Sequence, residues 1–385
     1  MQGIKNLTHG PINRQLFNLA MPIMATSFIQ MAYSLTDMAW VGRLGSEAVA
    51  AIGSVGILTW MSGSISLLNK VGSEVSVGQS IGAQNQEDAR QFASHNITIA
   101  LIISLCWGGL LFTFASPIIR IYELEEHITV NAIEYLRIIS TALPFIFLSA
   151  AFTGIYNAAG RSKIPFYISG TGLIMNIILD PLFIFVFRMQ IEGAAMATML
   201  SNIAACLYFL CLLRRLRGKV SIRVLPKYYT LRQRIPGEVL SVGLPSFLIS
   251  TMAVISNTML NRFIASYANE AVAGMGIAKR IDLMAFAVAQ GMAQGTLPLI
   301  GYNFTSGNRA RMRSAIRTLL LYCILVSCTV TAGLYLAAGP VTKLFINDAA
   351  TASFGTLFLR IICLACPTTS LNIFVSTVFQ ATGKK

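Results

Sequence analysis

Three carboxylates stand in stretches that are otherwise apolar: Asp37, Asp180 and Asp282. A charge in such a setting is costly, so an acid there carries a functional expectation. Gln30, Tyr33 and Asp37 are spaced i, i+3, i+7, which puts them on one face of a helix. Pro22, earlier in the same stretch, removes a backbone hydrogen bond and lets that helix bend as a hinge. Asn176 and Asp180, at i and i+4, also share a face, with Pro181 next in the chain. Two acids from different helices, with amides and hydroxyls nearby, can hold Na⁺ through oxygen or share a proton. Asp37 and Asp180 are the metal ligands if the ion is Na⁺. Structural roles compete with these readings. Asp37 fits an interfacial acid at a helix end, Asp180 fits a solvated kink before Pro181, and Asn176 fits a packing amide. Asp282 has Lys279 three residues earlier and Arg280 close by. That set reads as an ion pair lining a wet cavity, or as a substrate or gating element.

The elements that position these residues follow from composition. Of 385 residues, 55% are apolar and only 11% charged. Charged residues usually make up about a quarter of a soluble domain. So few charges cannot cover a soluble fold, and disordered chains are more polar still. The reading is an all-α polytopic membrane protein. A spanning helix needs about 20 mostly apolar residues. Ten stretches qualify, near 16–40, 48–69, 94–117, 130–157, 164–187, 192–213, 238–263, 271–299, 315–338 and 352–380.

The net charge of +14 resides in connections. Residues 214–237 hold Arg214, Arg215, Arg217, Lys219, Arg223, Lys227, Arg232 and Arg234, with no acid before Glu238. Lys5, Arg14, Arg161, Lys163, Arg309, Arg311 and Arg313 fall on the same side of an alternating topology. Glu123, Glu125, Glu126, Glu270 and Asp348 fall on the other. The positive-inside rule then makes the N-terminus cytoplasmic. The basic connection is a topology anchor rather than a nucleic-acid patch, so no nucleic-acid partner is expected.

The chain repeats itself at an offset of 223. Ala20-Met21-Pro22 becomes Gly243-Leu244-Pro245, and the Glu47–Gly53 segment EAVAAIG becomes EAVAGMG at 270–276. Asn85 and Arg90 become Asn308 and Arg313. Tyr135-Leu-Arg-Ile-Ile becomes Phe358-Leu-Arg-Ile-Ile. Each repeat begins after an even number of helices, so the two are parallel copies, as in two-lobed transporters. The expectation is a lobe at 1–213 with helices 1–6, a basic loop at 214–237, and a lobe at 238–385 with helices 7–10. The second copy stops where helix 4 of the first ends, which suggests two missing helices.

Other chemistry is not indicated. Seven cysteines are scattered through apolar stretches, and Cys363 and Cys366, though at redox spacing, sit in an apolar helix beside Pro367. His9, His95 and His127 are far apart. No GxxxxGK[ST] motif for an ATP motor is present. No cofactor and no enzyme activity are expected.

Several motifs resemble one family. Pro22 to Asp37, VGRLGSEAVAAIG (41–53), QSIGAQN (79–85), YNAAGRSKIP (156–165) and NIILDPLF (176–183) look like the MATE family of multidrug and toxic-compound extrusion transporters. The resemblance covers essentially the whole chain. Its members have twelve helices in two six-helix lobes, so this chain resembles one lacking the last two. Its first-lobe acids resemble the DinF-type branch. The resemblance implies a cation-coupling network of Asp37, Asn176, Asp180 and Thr198, flanked by Gln30, Tyr33, Tyr135 and Thr153. The NorM-type acid of helix 7 has no counterpart, since 239–263 contains no Asp or Glu.

The leading expectation is a secondary antiporter in the cell inner membrane. It exports amphipathic, often cationic compounds and drugs in exchange for H⁺ or Na⁺, with two lobes rocking to alternate access. Its partners are small-molecule substrates and membrane lipids, and a monomer is expected. The alternatives are a flippase for lipids or lipid-linked saccharides, and a non-transporting fragment.

Overall fold

The computed structural model of the chain describes residues 7, 9–215, 234–266, 269–345 and 348–383. The expected basic loop at 214–237 lies mostly outside the described residues. Among the described residues the fold is all-helical and contains no strand. Its helices are α1 (Ile12–Gly42), α2 (Ser46–Gly82), α3 (Gln86–Thr113), α4 (Ala115–Arg120), α5 (Glu126–Ala158) and α6 (Lys163–Pro181). They continue with α7 (Gln190–Arg215), α8 (Arg234–Ala265), α9 (Asn269–Thr305), α10 (Arg309–Phe345) and α11 (Ala349–Ala381). A π-helical segment, Leu182–Val186, continues α6. Ten spans among the described residues are long and apolar enough to cross a membrane. In hydrocarbon only helices or closed barrels satisfy every backbone group internally, and this composition takes the helical solution.

The helices are longer than hydropathy suggests. The second was expected to end near 69, yet α2 runs on to Gly82. The added turns carry Lys70, Ser73, Glu74, Ser76 and Ser80, which lower the local hydropathy. All but Lys70 are buried in protein rather than facing lipid. The third expected span is broken at Phe114 into α3 and the short α4.

The 223-residue repeat holds at the level of backbone. α2 (46–82) maps onto α9 (269–305), and α5 (126–158) maps onto α11 (349–381), each at that offset. Asn85 caps α3 by accepting the Asp88 N–H at 3.2 Å, and Asn308 caps α10 by accepting the Arg311 N–H at 3.2 Å. Gln84 and Gly307, 223 apart, both adopt positive φ, 59° and 74°. Gly160 and Gly383 end their helices at φ 72° and 68°, the left-handed geometry glycine adopts without a Cβ penalty.

Two compact units organise the chain, one of Ile29–Thr251 and one of Leu7–Phe28 with Met252–Lys385. In the first, α5 is central and packs on α2, α3 and α7. Leu136, Leu143 and Phe147 on α5 are fully buried, and Phe152 stacks on Phe209 of α7 at 5.5 Å. In the second, α9 packs on α10 and α11, and the first half of α1 lies against α9 where Ala20 meets Gly295. Arg311 on α10 ties down the start of that half, donating to Gln15 Oε1 at 2.8 Å and to the Leu7 carbonyl at 3.2 Å.

Helix pairing in lipid draws on close packing of small residues, because lipid tails are as apolar as the side chains. Gly154 is such a contact: a Cβ there would lie 2.5 Å from the Lys70 carbonyl of α2. At Gly109 a Cβ meets nothing within 4 Å. Gly154→Ala is therefore expected to destabilise the chain by about 1–3 kcal/mol. Gly109→Ala is expected to be neutral, or stabilising by up to about 1 kcal/mol through helix propensity. Thermal midpoints of the detergent-solubilised variants check both.

Candidate functional site

The first unit brings Asp37, Asn176 and Asp180 together with two tyrosines and a threonine. α6 ends at Asp180-Pro181, and the wider π-helical turn follows at once. Pro181 lacks the N–H that a regular ladder needs, and widened turns of this kind occur mostly at functional sites. Asp180 and Asn176 are both fully buried on α6. The Asn176 amide donates to Asp180 Oδ1 at 3.0 Å. Asp180 Oδ2 and Asn176 Oδ1 are enclosed and have no partner.

α1 supplies Tyr33 and Asp37, one turn apart. Asp37 is half-buried, but its Oδ1 is enclosed and also unpartnered. Asp37 and Asp180 lie in each other's electrostatic field. The Tyr33 hydroxyl faces Thr198 and Ser201 of α7. Neither the Tyr33 nor the Thr198 hydroxyl completes a hydrogen bond of normal geometry. Tyr135 on α5 is buried and feels the charges of Asp37, Tyr33 and Asp180. The result is a ring of oxygen atoms from four helices around two carboxylates. Unpaired polar groups in such an interior carry a penalty of roughly 1–3 kcal/mol each. A proton or a hard cation relieves it, because both bind oxygen.

The remaining predicted residues lie elsewhere. Gln30 is on α1 but exposed. The Thr153 hydroxyl is used within α5, donating to the Ser149 carbonyl at 2.8 Å. Pro22 belongs to the second unit and is buried; its carbonyl accepts the Thr26 hydroxyl at 2.8 Å. Lys279, Arg280 and Asp282 also belong to the second unit. There Lys279 acts electrostatically on Asp282, and the Cys366 thiol approaches Asp282 Oδ1 at 3.8 Å. Arg280 is exposed. Among the described residues no three His, Cys, Asp or Glu gather into a metal-binding group. A shallow recess of about 340 Å³ between α1 and α6, lined by Leu35, Thr36, Ala39, Trp40, Arg43 and Ile177, contains neither acid.

Sequence reasoning missed Ser201, which looks like any packing serine in an apolar helix. It also missed Lys70 and Glu74, which fall beyond the apolar window of α2. The signal for them was the polar face made by Ser62, Ser66, Asn69, Ser73, Ser76 and Ser80 at alternating spacings of four and three.

The chain is similar to known proteins over most of its length. The chain is 24% identical over 376 residues to the multidrug export protein MepA of Staphylococcus aureus (strain bovine RF122 / ET3-1), covering 97% of this chain and 82% of MepA. It is 26% identical over 380 residues to MepA of Staphylococcus saprophyticus, covering 96% and 81%. A crystal structure of MATE in complex with MaL6 superposes with a TM-score of 0.93 at 25% identity, covering 100% of this chain and 86% of that one. An outward-facing multidrug resistance MATE family transporter of the MOP superfamily gives a TM-score of 0.93 at 24% identity, covering 100% and 85%. The profile described as MatE matches residues 22–182 and again 245–385, two segments that start 223 residues apart at Pro22 and Pro245. By that doubled match over most of its length, the chain belongs to the MatE family.

Proposed function

We propose that the chain is a secondary active exporter of amphipathic, often cationic compounds, and that H⁺ or Na⁺ drives it by binding at Asp37 and Asp180. One observation carries this reading. Two acids from α1 and α6 share a field inside the membrane-spanning region, and each keeps an enclosed, unpartnered oxygen. Two such carboxylates require a cation, because low dielectric makes an uncompensated charge pair costly. An organic cation and a coupling ion both answer that requirement. Their competition for one pair of acids links the two fluxes without ATP. The curated relatives are named multidrug export proteins, which supports the substrate class. The DinF-type resemblance supports assigning coupling to the first lobe rather than the second.

Tyr33, Tyr135, Thr198 and Ser201 orient the acids, and Pro22 lets α1 bend as the cluster changes charge. Asp282 with Lys279 forms a further charged element in the second unit, available to a cationic substrate. The exporter lies in the cell membrane with a cytoplasmic N-terminus, a placement supported by the one-sided distribution of Lys and Arg.

The deciding measurement is efflux of a fluorescent organic cation from proteoliposomes under separately imposed H⁺ and Na⁺ gradients. Asp180→Asn keeps the shape and removes the charge; gradient-driven efflux is expected to fall about tenfold or more. Asp37→Asn is expected to weaken it in the same direction. Wild-type efflux from both variants sinks the proposal. A second comparison concerns the amide. Asn176→Leu leaves Asp180 Oδ1 without its donor and is expected to destabilise the chain by about 1–3 kcal/mol. Thr153→Val, whose hydroxyl is bonded within its own helix, is expected to change the thermal midpoint little.

A further inference from the structure

A one-sided row of arginines runs along the start of α10. Arg309, Arg313 and Arg317 recur every four residues and so share one face of the helix. All three are exposed. Among the described residues no ion pair uses any of their guanidinium groups. Arg311 lies about 200° around the axis from Arg309 and is used differently. It reaches Gln15 Oε1 and the Leu7 carbonyl, and Tyr322 on the same side meets Phe17 edge-on at 5.2 Å. One face of α10 thus packs on the first half of α1, and the arginine row occupies another. That second face continues in apolar residues. Leu321 is 62% exposed, Ile324 is 52% exposed, and Cys328 is exposed as well.

Composition fixes the height of the row. From Thr318 to Thr342 the helix has 25 residues without a charge, bounded by Arg317 and Lys343. They rise about 37 Å, enough to cross a hydrocarbon layer of about 30 Å. Arg317 therefore stands where hydrocarbon gives way to lipid phosphate. Arg313 and Arg309 follow about 6 and 12 Å farther out along the axis. The row is not part of the repeated plan. At the 223-residue offset its members correspond to Gln86, Arg90 and Ser94 on α3. There Arg90 pairs with Glu87 at 3.9 Å, and Ser94 is buried. Glu87 and Asp88 in turn correspond to Ala310 and Arg311, so the first turn of α10 has no acid. The positive end of the helix dipole adds to the charge of the row rather than offsetting it.

We propose that Arg309, Arg313 and Arg317 hold the headgroup phosphate of an anionic phospholipid, with an acyl chain lying along Leu321, Ile324 and Cys328. Charge complementarity selects the occupant. Three cations with no acid among them repel a cationic ligand. Guanidinium forks match phosphate oxygens through paired N–H···O bonds. A zwitterionic lipid offers the same phosphate but brings its own ammonium against the row. The apolar residues beyond Arg317 give an attached acyl chain a contact that a free anion lacks. The site belongs wholly to the second unit, apart from Asp37 and Asp180.

The test uses the full chain in detergent, titrated with phosphatidylglycerol or with phosphatidylcholine of the same acyl chains and followed by native mass spectrometry. The first phosphatidylglycerol is expected to bind about tenfold or more tighter than the first phosphatidylcholine. The variant R313Q/R317Q is expected to bring the two within about threefold. R137Q/R360Q removes the same charge from arginines stacked over Phe112 and Tyr335, and is expected to keep the preference. Inorganic phosphate in excess is expected to leave the lipid bound. Equal affinities in the unsubstituted chain, a preference kept by folded R313Q/R317Q, or an equal loss in R137Q/R360Q overturns the site. Displacement by inorganic phosphate overturns the lipid as its occupant. If R313Q/R317Q does not elute as a folded species, Arg317→Gln alone is expected to cut the preference about fivefold, and an unchanged preference there overturns the site. The inference goes beyond the exporter reading, whose own failure shows separately as wild-type efflux from D37N and D180N.

Discussion

Inside a membrane every polar atom that leaves water must find its partner within the protein. That constraint shapes this chain more than any single contact. It turns the backbone into helices and keeps the turns short. It also turns each exception into a statement about ligands. Asp180 illustrates the case. It is fully buried, it receives one hydrogen bond from Asn176, and its second oxygen receives none. A proline and a widened turn directly after it relax the helix at that same point. Backbone irregularity and an unsatisfied carboxylate coincide where a cation has most to contribute.

The two units solve the packing problem in parallel ways. The caps at Asn85 and Asn308, the left-handed residues at Gln84 and Gly307, and the matched bounds of α2 with α9 show one supersecondary plan used twice. The plan is shared but the chemistry is not. Glu74 maps by the offset to Leu297, and Asp37 maps to Leu260. Acid chemistry of the first unit is thus an elaboration on a common scaffold, whereas Asp282 belongs to the second copy alone.

Much of this was legible in the sequence. The apolar windows, the constant offset and the three isolated acids need only hydropathy and spacing, and they located ten spans and singled out Asp37 and Asp180; joining those two acids into one network rested on the family resemblance. The misses have a common physical origin. Hydropathy measures how well a residue suits lipid, and Ser73 and Glu74 are buried within the protein, with Lys70 partly so. The expected end of α2 near 69 was therefore the point where the helix turns its polar residues inward. Ser201 was invisible for a different reason: a single serine in an apolar helix looks the same whether it packs or faces a tyrosine. The break at Phe114 did have a mark: Pro117, in the first turn of α4, lacks the N–H that would reach back across the joint to the Thr113 carbonyl, and the apolar window simply ran through it.

The length of α2 has a consequence for the bilayer itself. At 37 residues it extends about 55 Å, against a hydrocarbon thickness of about 30 Å. The surplus of about 25 Å lies among headgroups or is taken up by tilt. The last turns, from Lys70 to Gly82, fall within reach of that boundary zone. A thicker or thinner membrane moves the boundary along those turns, changing which of them lie among headgroups. Acyl-chain length therefore sets how much of α2 stands clear of hydrocarbon, a quantity fixed by the surrounding lipid and the 37-residue length together.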